Sequence, residues 1–147
     1  MNRFFETSRH IDAPAQQVWE VLYDVARWPE WTPTVDSVEP LDDRPFGVGS
    51  RVRVRQPKLP RAEWQVTEVG QVRDGNSFTW EARGPGMKTI ARHEVVPDAS
   101  GSKVTLSIEQ TGPMGAVAAL VWRRLTQRYI ELEAESLAGR VTRTAAT

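Results

Sequence analysis

The last third of this chain constrains its fold more than any other part. From Pro113 to Val141, about thirty residues carry a helical pattern. Projected at about 100° per residue, Met114, Val117, Ala118, Val121, Trp122, Leu125, Tyr129 and Leu132 share one sector. Arg123, Arg124, Gln127 and Glu131 fall mostly outside it. At 1.5 Å per residue such a helix spans about 45 Å, too long for a crossover and long enough to lie across a whole sheet. The preceding residues must supply that sheet.

They do so at a regular rhythm. Phe4–Ile11 reads as a first strand, half polar, with no clear inner face. Pro14 then opens a helix to Tyr23, because its fixed φ and missing N–H are tolerated in a first turn. Ala15, Val18, Trp19 and Leu22 form its apolar stripe. Asp24 ends it or caps the next turn, and Pro29 and Pro33 prevent a long continuation. Strands are predicted over Val35–Leu41, Ser50–Gln56, Glu63–Val72, Ser77–Arg83, Met87–Val96 and Lys103–Thr111, separated by turn residues that include the hairpin signal Asp74-Gly75. Alternation is strict where Val52 and Val54 oppose Arg51, Arg53 and Arg55. It recurs at Phe78, Trp80 and Ala82, and at Val104, Leu106, Ile108 and Gln110. Short connections imply an antiparallel meander with one buried face. A single domain over residues 1–147 is expected, with fraying after Val141.

Composition excludes several classes of function. Nineteen Lys and Arg balance nineteen Asp and Glu, leaving no basic excess for a nucleic-acid backbone. No cysteine is present, which removes disulfides, thiolate chemistry and cysteine metal sites and fits a cytoplasmic protein. The first eight residues lack an apolar signal core. No run approaches a membrane span, since Arg123, Arg124 and Arg128 interrupt the long helix. Two histidines without ligand spacing give no metal site, and no phosphate-cradling glycine loop, dinucleotide fingerprint or nucleophile elbow is present, so no cofactor is expected.

Tryptophan carries the functional signal. There are six, two of them in Val25-Ala26-Arg27-Trp28-Pro29-Glu30-Trp31. Trp28 and Trp31 either line a cavity mouth or pack the small helices onto the sheet. Trp64, Trp80 and Trp122 fall on faces expected to be inner. Several such rings around a hollow suit an apolar or aromatic small molecule. His93, in phase with Ala91 and Val95, points inward. There it titrates near neutral pH or hydrogen-bonds a ligand carbonyl, or it is a satisfied structural histidine. Tyr129 offers a hydroxyl and Gln110 an amide. The expected cavity set is Trp28, Trp64, Trp80, His93, Leu106, Ile108, Gln110, Val121, Trp122, Leu125 and Tyr129, with no catalytic residue assigned. The basic ladder Arg51, Arg53, Arg55, Lys58 and Arg61 reads as a solvated strand face paired to Asp36, Glu39, Asp42 and Asp43, or as a dock for an acidic partner.

Several segments resemble one superfamily. Ile11-Asp12-Ala13-Pro14-Ala15-Gln16-Gln17-Val18-Trp19, then Asp24 with Trp28-Pro29-Glu30-Trp31, are similar to the region of the first helices in START-like SRPBCC proteins. Gly49, Trp80, His93 and Thr111-Gly112-Pro113 also fit, and the likeness is strongest to the polyketide cyclase/dehydrase branch. The resemblance implies an α+β helix-grip fold of the Bet v 1/START-like kind. In that fold a curved antiparallel sheet of about seven strands wraps a long C-terminal helix, with two short helices after the first strand. It also implies binding or lipid transport of a lipid-like or polyketide-like molecule between sheet and helix. The alternative it implies is a cofactor-independent cyclase, aromatase or dehydratase acting by proton transfer and positioning, with an acyl-carrier protein as the acidic partner. Cyclases of this kind hold an arginine inside the pocket, and no arginine here is placed inside by pattern.

Overall fold

The computed structural model describes residues 3–145, with side chains to Arg143. Strand β1 (Phe4–Ile11) leads to helix α1 (Ala15–Tyr23) and a 3₁₀ helix (Val25–Glu30). Then come β2 (Ser37–Pro40), β3 (Arg51–Arg55), β4 (Ala62–Val72), β5 (Gly75–Gly84), β6 (Met87–Asp98) and β7 (Gly101–Thr111), followed by α2 (Pro113–Val121) and α3 (Arg123–Ala145). The seven strands form one antiparallel sheet in the order β1-β7-β6-β5-β4-β3-β2. This is the expected helix-grip arrangement.

Alternation decides which face is inner. Val52 and Val54 are buried while Arg51 and Arg55 are exposed, and Phe78, Trp80 and Ala82 turn inward together. Strand β4 starts the same way with Trp64 and Val66. A bulge between Val66 and Glu68 then breaks its register, and Val69 beyond it is exposed. Strand β2 is only four residues long, shorter than the pattern from Val35 to Leu41 suggested. The β4–β5 hairpin forms, but its turn sits one residue earlier than the Asp74-Gly75 signal implies. Arg73 and Asp74 hold the positive φ angles, 45° and 67°, and Gly75 already pairs with Val72. The glycine serves a different purpose, because a Cβ there would lie 1.9 Å from the Val95 carbonyl oxygen.

The terminal helix departs most from expectation. It is two helices, joined at Trp122, whose φ of −106° and ψ of 18° leave the helical region. Its buried face is also not the sector richest in large apolar residues. Gly115, Ala118 and Ala119 of α2 and Ile130, Ala134, Leu137, Ala138 and Val141 of α3 are buried, whereas Met114, Val117, Leu120 and Val121 are exposed. The buried stripe lies roughly a third of a turn from the predicted one. Close approach explains the choice on α2: a Cβ on Gly115 would come within 3.2 Å of the Gln110 backbone, so only small residues fit against β7. Helix α3 continues past Val141 to Ala145, so the fraying expected there is absent up to that residue. It packs along β1, β7 and α1.

The Gly75 contact gives a direct test of this packing. Gly75→Ala should lower stability by roughly 1–3 kcal/mol through overpacking against β6. Gly70→Ala should be close to neutral, because nothing lies within 4 Å of its would-be Cβ. Chemical denaturation of the two variants measures the difference.

Candidate functional site

A cavity of about 560 Å³ opens between the inner face of the sheet and α3. Its wall is aromatic: Trp28, Trp64, Trp80 and Trp122, four of the six tryptophans, line it. The rings brace one another. Trp80 stacks on Trp64 with centroids 5.4 Å apart and meets Trp28 edge-on at 5.4 Å. The Trp28 indole N–H donates to the Leu22 carbonyl at 2.9 Å, which fixes the 3₁₀ helix to α1. Trp31 is buried too but takes no part in the wall.

Helix α3 contributes one stripe. Thr126, Tyr129, Ile130 and Glu133 recur at helical spacing and all line the cavity, as does Trp122 at the junction before them. Val121 and Leu125, expected in the set, do not. They sit roughly a third and a quarter of a turn from the middle of that stripe, and Val121 faces solvent. Leu106 is also absent from the wall; it is buried in the core, while Ile108 and Gln110 farther along β7 reach the cavity.

The polar groups are few. His93 stacks flat on Phe78 at 4.1 Å, and its Nδ1 lies 3.3 Å from the Phe78 carbonyl. A carbonyl only accepts, so Nδ1 carries the proton and Nε2 is an acceptor. Burial pushes the His93 pKa down to about 3, only partly opposed by that hydrogen bond. His93 therefore stays neutral across the physiological range, which rules out the alternative of titration near neutral pH; desolvation of the imidazolium is the reason. The Thr89 hydroxyl donates to Gln110 Oε1 at 2.6 Å, which leaves the Gln110 amide N–H groups for a ligand. The Tyr129 hydroxyl does not offer its proton to the cavity. It donates to the Pro57 carbonyl and ties α3 to the loop between β3 and β4, whose Leu59, Pro60 and Arg61 form part of the mouth.

Sequence reading missed Glu133. It is buried on α3, lines the cavity and has no hydrogen-bond or ion-pair partner among the described residues. Burial alone raises its pKa to about 8, so at neutral pH it is a carboxylic acid and a proton donor. The signal was available, since Glu133 shares the buried stripe of Ile130, Ala134 and Leu137. Among the described residues, the arginines on the wall are Arg61 and Arg83, and both are exposed. Of the basic ladder only Arg53 makes ion pairs among the described residues, to Glu39 at 3.5 Å and Glu63 at 3.1 Å. No cluster of three His, Asp or Glu with metal-binding geometry occurs among those residues, and none of their helices is long and apolar enough to cross a membrane.

A family model described as polyketide cyclase/dehydrase and lipid transport matches residues 4–142. No curated protein sequence matches the chain. Among solved structures, a hypothetical protein of Helicobacter pylori superposes with a TM-score of 0.80 at 12% identity, over 94% of this chain and 87% of that one. An aromatase/cyclase from Streptomyces sp. R1128 does so with a TM-score of 0.74 at 17% identity, over 97% and 95%. A STAR-related lipid transfer protein from Xanthomonas axonopodis gives 0.69 at 18%, over 95% and 85%. At such identities the likeness is one of fold.

Burial of Glu133 and His93 sets a pH signature. The unfolded Glu133 ionises near pH 4.5 and the folded one near 8. The folded state thus holds the extra proton, and stability falls as pH rises through that window by up to about 1.4 kcal/mol per unit. Unfolded His93 protonates below 6.5 and folded His93 only near 3, so its contribution falls as pH drops through that range. The two slopes oppose one another between 4.5 and 6.5, and Glu133 acts alone from 6.5 to 8. Denaturation of wild type should show stability declining over that upper interval, and Glu133→Gln should flatten it.

Proposed function

Because the chain belongs to the polyketide cyclase/dehydrase and lipid-transport family, we propose that its cavity binds an uncharged, largely aromatic small molecule bearing a carbonyl or hydroxyl oxygen. The observation that carries this reading is a tryptophan wall around three polar groups with free hydrogen-bonding capacity: His93 Nε2, the Gln110 amide and the Glu133 carboxyl. The volume falls in the range of small-molecule sites. Ring faces supply apolar contact area, and the polar groups select orientation. A charged ligand is disfavoured by the same desolvation that keeps His93 and Glu133 neutral.

Glu133 favours a second reading, cyclisation or dehydration of a polyketide-like chain. A carboxylic acid protonated at neutral pH inside an apolar cavity can donate to a carbonyl oxygen or a departing hydroxyl. His93, with its pKa near 3, is too weak a base to share the work in the free protein. In this reading an acyl-carrier protein delivering the chain would meet Arg61 and Arg83, exposed on the cavity wall, with Lys58 exposed on the same loop as Arg61.

Native mass spectrometry of freshly purified protein should reveal a retained apolar molecule, and the uncharged aromatic ketone Prodan should bind with a blue-shifted emission. Ala91→Leu places extra volume in the cavity wall and should cut Prodan affinity by at least about tenfold, at a stability cost of no more than roughly 1–3 kcal/mol. Glu133→Leu should cost about 1 kcal/mol of affinity, the net value of one hydrogen bond, whereas Glu133→Gln, which keeps a donor and an acceptor, should cost little. Equal affinity in wild type and Ala91→Leu would place the ligand elsewhere and overturn the binding reading. A Glu133→Gln variant that still converts a polyketide substrate at the wild-type rate would overturn the enzymatic one.

A further inference from the structure

Seven large apolar side chains are exposed among the described residues, and four of them sit together on α2: Met114 at 47%, Val117 at 48%, Leu120 at 57% and Val121 at 65%. The helix has no charged residue, and its small residues, not its large ones, face the sheet. This face is therefore not an unfilled part of the core. It is turned outward because Gly115, Ala118 and Ala119 take the places against the strands, and at Gly115 a Cβ would already come within 3.2 Å of the Gln110 backbone.

Its surroundings say what covers it. Arg123 and Arg124 follow directly on α3, with Arg128 one turn on, and all three are exposed. At its other end α2 begins against the β5–β6 turn, where the Met114 N–H donates to the Gly86 carbonyl and Met114 lies beside Gly86. Arg83, exposed, stands at the start of that turn and on the cavity wall. None of these four arginines takes part in an ion pair among the described residues, whose pairs use other cations. An apolar strip bordered by uncompensated arginines fits a surface that is apolar inside and anionic outside. A second copy fits poorly, since a two-fold contact of this face on itself would bring arginines toward arginines. Trp122, which closes α2, lines the cavity, so whatever α2 enters lies next to the mouth.

The geometry points to α2 as a peripheral docking helix that lays Met114, Val117, Leu120 and Val121 into an anionic lipid surface, with Arg83, Arg123, Arg124 and Arg128 at the headgroups. Such helices lie in the interface plane, held by apolar burial plus attraction to anionic lipids. An apolar ligand then passes between bilayer and cavity beside Trp122 without crossing water. The docking itself needs no cavity ligand, so its test stands apart from the binding reading above.

The experiment is flotation of the full chain with vesicles of phosphatidylcholine alone and of phosphatidylcholine with phosphatidylglycerol. The wild type should float with the anionic vesicles at low salt and much less with the neutral ones. Arg123→Glu with Arg124→Glu should lower partitioning at least tenfold, given roughly fivefold per arginine lost. Leu120→Ser with Val121→Ser should lower it comparably, and both pairs should keep the wild-type melting temperature and Prodan affinity, because these side chains are outside core and cavity. The proposal is overturned by no flotation with anionic vesicles, by flotation unchanged in both pairs, or by a wild-type dimer in sedimentation velocity that Leu120→Ser with Val121→Ser dissolves. Capture by an acidic carrier protein without any vesicle binding would also overturn it.

Discussion

The rest of the structure hangs on the packing of rings across β5, β6 and the 3₁₀ helix. His93 lies flat on Phe78, Trp80 meets Phe78 and His93 edge-on, and Trp28 closes against Trp80 and His93. Each such pair adds about 0.5–1.5 kcal/mol beyond area burial. One side of the cluster faces the core, where Trp19, Tyr23 and Phe46 continue it. Its other side is the cavity wall. Stability and binding surface therefore come from the same side chains, so removing a ring here would injure both. Filling the space in front of the rings separates them.

That arrangement also explains the state of the buried polar groups. The interior offers apolar faces and very few hydrogen bonds, so it pays to keep titratable groups uncharged. His93 is held neutral by burial, with one nitrogen committed to the Phe78 carbonyl. Glu133 has no such anchor and is held neutral by burial alone. A partnerless carboxyl on an otherwise apolar helical stripe costs stability. A ligand oxygen in hydrogen-bond reach would offset that cost, which is why the proposed binding rests on Glu133 more than on any residue that packing alone explains.

Much of this was legible in the sequence because strands are read by a period of two. A strand with one wet face cannot slip by one residue without exposing its core, so Val52, Trp80 and Gln110 were placed correctly on the inner face. The terminal helix was legible in extent and misread in phase. It carries two apolar stripes, one of large residues at 114, 117 and 121 and one of small and large residues from 115 through 130 to 141. Hydrophobicity favours the first; the closeness of β7 selects the second. Val121 and Leu125 were lost from the cavity set for that reason, and Glu133 was overlooked because an acidic residue is ordinarily assigned to solvent. Tyr129 does line the cavity, but its hydroxyl proton goes to Pro57, a loop contact that no local pattern encodes.

The central claim is that an aromatic, oxygen-bearing molecule sits inside the sheet against the tryptophan wall. A crystal structure of the protein soaked with Prodan tests it most directly. The account predicts the naphthalene ring among Trp28, Trp64, Trp80 and Trp122, with the ketone oxygen within hydrogen-bond distance of the Gln110 amide or the Glu133 carboxyl. Prodan bound only on the outer surface, with the cavity empty or closed by its own side chains, would contradict it.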